Sequence, residues 1–184
     1  MSDRAVVSLD ALAVSVWEHA ERGELGEAFR LLWEADELPG LGARQQRIRA
    51  ELQAYCGNES AALALIADLA DGKGSSSIVR ARVSAARGDW EHALEHALQA
   101  TDGTHGTVRA LLLAARAGVE LHRTEKAREL LNRIDPDAPT TDLAVAALRA
   151  RLSKDDPVAA LTPIIERAQA LRADRICAEA WADL

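Results

Sequence analysis

Aromatic side chains are scarce: Phe, Trp and Tyr together make up 3% of the chain, as four Trp, one Tyr and one Phe. Aromatic and β-branched residues are the ones that suit a pleated, half-buried strand, so their scarcity argues against a sheet protein. Cysteine is nearly absent. Cys56 and Cys177 are far apart and form no CxxC, which argues against a disulfide framework or thiol metal site and leaves them as small helix-packing residues. No stretch has the uninterrupted apolar length of a membrane span. The N-terminus carries Asp3, Asp10 and Glu18 early and lacks the basic-then-apolar pattern of a secretory leader. Basic charge is in deficit, with 22 Lys+Arg against 29 Asp+Glu and a formal charge of −7. Such a balance gives no global attraction to nucleic acid or an anionic membrane, although a local basic patch stays open. A soluble, cytoplasmic protein is expected, without a membrane partner and without nucleic acid.

Alanine and leucine are abundant instead. Hydrophobic residues reach 48%, and 184 residues suffice for one domain with a substantial core. Alanine loses no side-chain entropy in a helix and lets neighbouring helices approach closely. Apolar residues fall at helical spacing over 8–21, 25–37, 42–55, 59–70, 76–87, 90–101, 106–120, 124–134, 142–153 and 156–170, with a last helix over 171–183. Glycine and proline separate these runs, one by relaxing the backbone and the other by removing a donor. DGKGSSS (71–77) reads as a turn between units, and Thr141 or Asp142 as the cap of the ninth helix. Pro157 suits a first turn, whereas Pro163 predicts a kink or an altered helix start.

The helices pair, and the pairs repeat. The alanine inside the second helix of each pair recurs at Ala28, Ala62, Ala93, Ala127 and Ala160, at intervals of 34, 31, 34 and 33 residues. GDWEHALEHALQATD (88–102) carries a turn glycine at Gly88, an aromatic at Trp90 and small residues at Ala93 and Ala100. GELGEAFRLLWEADELP (23–39) carries Gly23, Ala28 and Ala35 in the same places. Both resemble the second half of a tetratricopeptide repeat. The units around Ala62, Ala127 and Ala160 depart further: Leu69 and Ile134 replace the second small residue, and His122 replaces the turn glycine. The resemblance covers residues 8–170. It implies an all-α fold, a right-handed superhelix of antiparallel helix hairpins, with 1–184 as a single TPR-like solenoid of about five pairs plus a C-terminal helix. A helical bundle closing into a globule would share the local features but not the one-dimensional stacking.

Motifs that carry chemistry are missing. GxGxxG, GxxxxGK[ST] and GxSxG do not occur. His92 and His96 lie four apart near one helix face but interleave with Glu91 and Glu95, away from the HExxH pattern and without a third ligand at diagnostic spacing. They read as solvated surface residues. No catalytic residue, metal or cofactor is expected, and the chain reads as a non-enzyme. Among the tryptophans, Trp90 is expected as buried packing, Trp33 as packing against the next repeat, Trp17 as a groove residue and Trp181 as a seal at the end.

In tetratricopeptide repeats the first helices of successive units line a concave groove. The resemblance places Trp17, Glu51, Arg82, Arg116 and Arg149 at one groove-facing motif position, with Arg44, Arg47 and Arg109 nearby, together with Tyr55 and Glu120. Arg82, Arg116 and Arg149 follow one another at 34 and 33 residues and would stack as a row. Such a row either holds the carboxylates of an acidic peptide in forked pairs or laces the solenoid by pairing with glutamates of neighbouring repeats. The function implied is a protein–protein interaction scaffold binding a peptide or partner domain, with self-association through a solenoid end compatible with it. The Ala/Leu/Arg-rich style is similar to the repeat regions of larger bacterial regulators, and the chain reads as ending in mid-repeat. The alternative is a helical-repeat enzyme or accessory domain with a pocket the sequence does not reveal.

Overall fold

A computed structural model describes residues 9–35, 42–67, 76–101, 107–135, 139–153, 157–173, 176–178 and 180. Among the described residues the regular structure is helical throughout. The helices are α1 (Leu9–Glu21), α2 (Leu25–Ala35), α3 (Gly42–Tyr55), α4 (Glu59–Ala67) and α5 (Ser77–Ala86), then α6 (Trp90–Thr101), α7 (Thr107–Glu120), α8 (Thr124–Asn132), α9 (Pro139–Arg151) and α10 (Pro157–Ala170). Residues 176–178 and 180 are helical as well. No described helix is long and apolar enough to cross a membrane. The segment 71–75, residues 136–138 and Trp181 lie outside the described residues.

Within the first four pairs, a short connection brings the second helix back along the first. The α5–α6 turn shows how. Gly88 sits at φ +74°, which glycine adopts without strain, and Asp89 N–H donates to the Ser84 carbonyl at 2.9 Å. Gly23 and Gly57 repeat this turn at φ +78° and +80°. His122 takes the same place between α7 and α8 at φ +56°, with Arg123 N–H on the Gly118 carbonyl at 2.7 Å. The turn geometry therefore survives the loss of its glycine. Arg172, at φ +54°, makes an equivalent turn after α10.

Packing runs along the chain. Helix–helix packing of any extent joins helices one or two places apart in order: each hairpin internally, each second helix to the next first helix, and first helix to first helix. The closed bundle is thus set aside in favour of an all-α, TPR-like solenoid. The small residues of the second helices form the seams. Ala28, Ala62, Ala93 and Ala127 are all fully buried. A Cβ on Gly118 of α7 would stand 3.3 Å from the Ala127 Cβ, so α7 and α8 meet almost backbone to backbone.

The last pair departs from the sequence reading by one residue. Ala160 is only half-buried, and Leu161 occupies the seam, 34 residues after Ala127. Ala168 is then fully buried where a second small residue is expected. The ninth helix also begins earlier than expected, at Pro139 rather than 142, so Thr141 and Asp142 lie in its first turn and do not cap it. Pro163 lies inside α10, which continues to Ala170. Trp33 does not pack against a following repeat, because it is 74% exposed on α2. Trp17, in contrast, is buried, and Trp90 is half-buried against the core formed by α5 to α9.

Candidate functional site: a cavity on the first helices

The first helices of the pairs, α1, α3, α5, α7 and α9, share one cavity of about 220 Å³. Every lining residue comes from these helices or from residues 176 and 180. Arg82 of α5, Arg109 and Arg116 of α7 and Arg151 of α9 supply the positive charge. The aliphatic wall is built largely by α9 and the last residues, including Ala147, Leu148, Ile176 and Ala180.

Behind the arginines lies a buried carboxylate. Glu51 on α3 is 3% exposed and accepts from Arg82 Nε at 3.0 Å and from Arg109 Nε and Nη2 at 3.2 and 3.3 Å. Burial by itself pushes the Glu51 carboxyl pKa up. The charge of Arg109, then that of Arg82, and the hydrogen bonds from both outweigh it, so the pKa lies below the ordinary 4.5. The same two guanidiniums lie against Trp17 of α1, at 4.9 and 4.8 Å from the ring centroid, and Arg82 also lies 5.2 Å from the Tyr55 ring. Trp17 and Tyr55 meet edge to face with centroids 5.5 Å apart. The Trp17 indole N–H is buried without an acceptor among the described residues, so cation–π and packing contacts hold this ring. Four successive first helices are thereby tied at one point.

Toward the other end, Arg116 lies 5.9 Å from the Trp90 ring, and Arg151 Nη1 donates to Glu120 Oε1 at 2.9 Å. Among the described residues, Glu21 and Glu120 line the cavity together with the four arginines, and Glu51 lies behind Arg82 and Arg109.

The groove positions inferred from sequence are thus partly gathered here. Arg82, Arg109 and Arg116 line the cavity, and Glu51 and Trp17 brace it from beneath. Arg47 lies half-buried on α3 away from the lining, and the side chain of Arg44 lies outside the described residues. Arg149 points elsewhere: it is exposed, and its Nη2 lies 3.5 Å from the Leu131 carbonyl of α8. Its place in the row is taken by Arg151. The lining residues Arg109, Leu112, Leu113 and Arg116 of α7 recur as Ala144, Ala147, Leu148 and Arg151 of α9, each 35 residues later. Two residues turn a helix by about 200°, which carries Arg149 to the far side. A spacing of 35 in place of 33 was the available signal for Arg151. The contributions of Ile176 and Ala180 had no signal in the repeat pattern.

His92 and His96 lie on the surface of α6. His92 Nδ1 is 2.7 Å from Asp89, and His96 Nδ1 is 3.4 Å from Gln99. Among the described residues no group of three side chains is placed to hold a metal ion.

Residues 84–152 match the family model described as tetratricopeptide repeat. No curated protein and no solved structure matches the chain. The matched segment runs from α5 through α9 and contains Gly88, Ala93, Ala127 and most of the cavity wall, so the family match and the geometry fall on the same residues. Across residues 84–152 the chain is thus similar to the tetratricopeptide repeat family.

Proposed function

We propose that the chain is an interaction scaffold that holds a carboxylate-bearing segment of a partner protein against the face formed by α1, α3, α5, α7 and α9. Tetratricopeptide repeats generally mediate protein–protein interaction, and the family match supports that class of function. The observation that carries the finer reading is the convergence of Arg82, Arg116 and Arg151 from three successive first helices on one cavity. The arginines have divided roles in this reading. Arg82 and Arg109 are engaged by Glu51 and brace the repeats. Arg116 lines the same cavity, 5.9 Å from the Trp90 ring, and is the residue on which the reading is tested. A guanidinium presents a planar fork of donors that suits a carboxylate, and hydrogen bonds to charged groups contribute about 1.5–3 kcal/mol.

The test is a fluorescence-anisotropy titration with a synthetic peptide rich in Glu and Leu, against the same peptide with Gln in place of Glu. The acidic peptide is expected to bind more tightly, with affinity falling as salt rises. Arg116→Ala is expected to weaken binding roughly tenfold or more with helicity unchanged. Equal binding of both peptides, or an Arg116→Ala chain that loses stability while binding as before, contradicts the reading.

A further inference from the structure

We infer that Trp17, Glu51 and Arg109 form a strap across the first helices that holds the curvature of the solenoid, with Arg109 as its release point. The strap differs from the other contacts in reach. Helix packing of any extent joins helices one or two places apart in order. Other ion pairs between repeats, among the described residues, likewise join neighbours: Arg82 with Glu51, Arg87 with Glu59, Arg123 with Glu91 and Arg151 with Glu120. Arg109 goes further. From the first turn of α7 it donates to Glu51 of α3, passing over the repeat of α5 and α6. Its guanidinium also lies 4.8 Å from the centroid of the Trp17 ring on α1, three repeats back.

Reach decides what a contact can restrain. The units of a solenoid pack on their neighbours, so curvature is the sum of small rotations at successive interfaces. A contact between neighbours restrains one of those rotations. A contact from α1 or α3 to α7 restrains all the rotations it spans, because together they must bring Arg109 back to the same point. Straightening the stack carries α7 away from α1 and α3 and pulls this contact apart.

The chemistry suits a strap. Glu51 and Trp17 are both buried, and a buried pair is screened by salt much less than an exposed one. The carboxylate takes two guanidiniums at once, and both lie against the same Trp17 ring, so it offsets their mutual repulsion. The exposed pair of Arg123 and Glu91 holds its two repeats far more weakly.

The cavity feels the strap directly. Tyr55 lines it from α3, and Leu113 lines it from α7, so the span that the strap fixes is also the distance between these walls. Release of Arg109 opens the face formed by the first helices.

This inference concerns curvature and does not rest on the partner reading, and its test uses no peptide, so the two can fail separately. The experiment is double electron–electron resonance on the whole chain, with Cys56→Ala and Cys177→Ala and spin labels on introduced cysteines. Gly26→Cys on α2 and Asn132→Cys on α8 place labels on exposed positions, and a Cβ at Gly26 meets nothing within 4 Å. This pair spans the strap and three repeat interfaces. Asn132→Cys with Gln169→Cys on α10, also exposed, spans one interface outside the strap.

Arg109→Gln is expected to shift the 26–132 distances to longer values and broaden them, with the 132–169 distances unchanged. Arg82→Gln takes the same charge from the same carboxylate but releases a contact that reaches only α5, and is expected to shift the 26–132 distances less. With the strap intact, the 26–132 distribution is expected to be no broader than the 132–169 one, although widths accumulate over interfaces in an unstrapped stack. That comparison needs no strap variant, so an Arg109→Gln chain that fails to fold leaves the inference testable. Unshifted 26–132 distances in folded Arg109→Gln, an equal shift in Arg82→Gln, a shift shared by the 132–169 pair, or a 26–132 distribution broader than the 132–169 one with the strap intact overturns it.

Discussion

Glu51 and Arg82 stand at the same motif position in consecutive repeats, 31 residues apart, and touch at 3.0 Å. One repeat supplies the carboxylate and the next the guanidinium, so a contact that looks local in space measures the stacking of one unit on another. Arg109 brings a third repeat to the same carboxylate, and Trp17 a fourth helix beneath both guanidiniums.

Removing the carboxylate leaves two neighbouring guanidiniums without their shared partner. Breaking a buried pair by deleting one member costs about 3–5 kcal/mol. Glu51→Ala is expected to lower unfolding stability by that order, measured by urea denaturation. Glu51→Gln is expected to cost less, because it keeps the shape and one acceptor. A loss below about 1 kcal/mol for Glu51→Ala would show that the contact does not brace the solenoid.

The same carboxylate makes stability depend on acid. Its folded pKa lies below its ordinary value, so the ionised form stabilises the fold above the ordinary range near 4.5. That contribution is lost as pH falls through the lowered folded value. Stability is expected to drop on acidification below about pH 4.5, and Glu51→Gln to flatten the drop. The check is a urea midpoint measured across pH 3 to 7 for both chains.

The seam position in the last hairpin separates Leu161 from its neighbour. Leu161→Ala removes a side chain that is 1% exposed and is expected to cost about 2–5 kcal/mol. Ala160→Ser is expected to change stability by less than about 1 kcal/mol, because Ala160 is only half-buried. The opposite ranking in thermal unfolding would restore the 33-residue interval. In the repeat before it, Ala127→Leu is expected to overpack the seam against Gly118 at a cost of about 1–3 kcal/mol.

Most of the fold was legible because helix periodicity and small seam residues are local signals. Gly88, Ala93 and Ala100 announce a hairpin whatever surrounds them. The reading failed where neighbouring alanines made the register ambiguous. In DDPVAALT, Ala159, Ala160 and Leu161 all satisfy a small or apolar seam, and only burial distinguishes them. Two residues rotate a groove position by about 200°, so Arg149 was selected where Arg151 lines the cavity. The pairing of Arg82 with Glu51 was visible only as one of two alternatives, because charge spacing fixes proximity and not whether a ligand or a glutamate takes the guanidinium. Trp33 was misplaced for a related reason: mid-helix position does not fix which face points outward.

His122 holds a left-handed backbone that glycine adopts at the matching places in other repeats. That conformation costs an ordinary L-residue roughly 1–2 kcal/mol, and glycine returns part of the gain as unfolded-chain entropy. His122→Gly is expected to stabilise the chain by up to about 1 kcal/mol, and Gly88→Ala to destabilise it by about the same amount. Differential scanning calorimetry of the two variants checks the sign of each.

The central claim is that partners meet this protein on its first helices. Hydrogen exchange read by mass spectrometry, with and without a saturating Glu- and Leu-rich peptide, tests it most directly. The account predicts added protection in peptides from α5, α7 and α9, with α4, α6 and α8 unchanged and the effect lost in Arg116→Ala. Protection confined to the second helices, or present on the first helices and indifferent to Arg116→Ala, would contradict it.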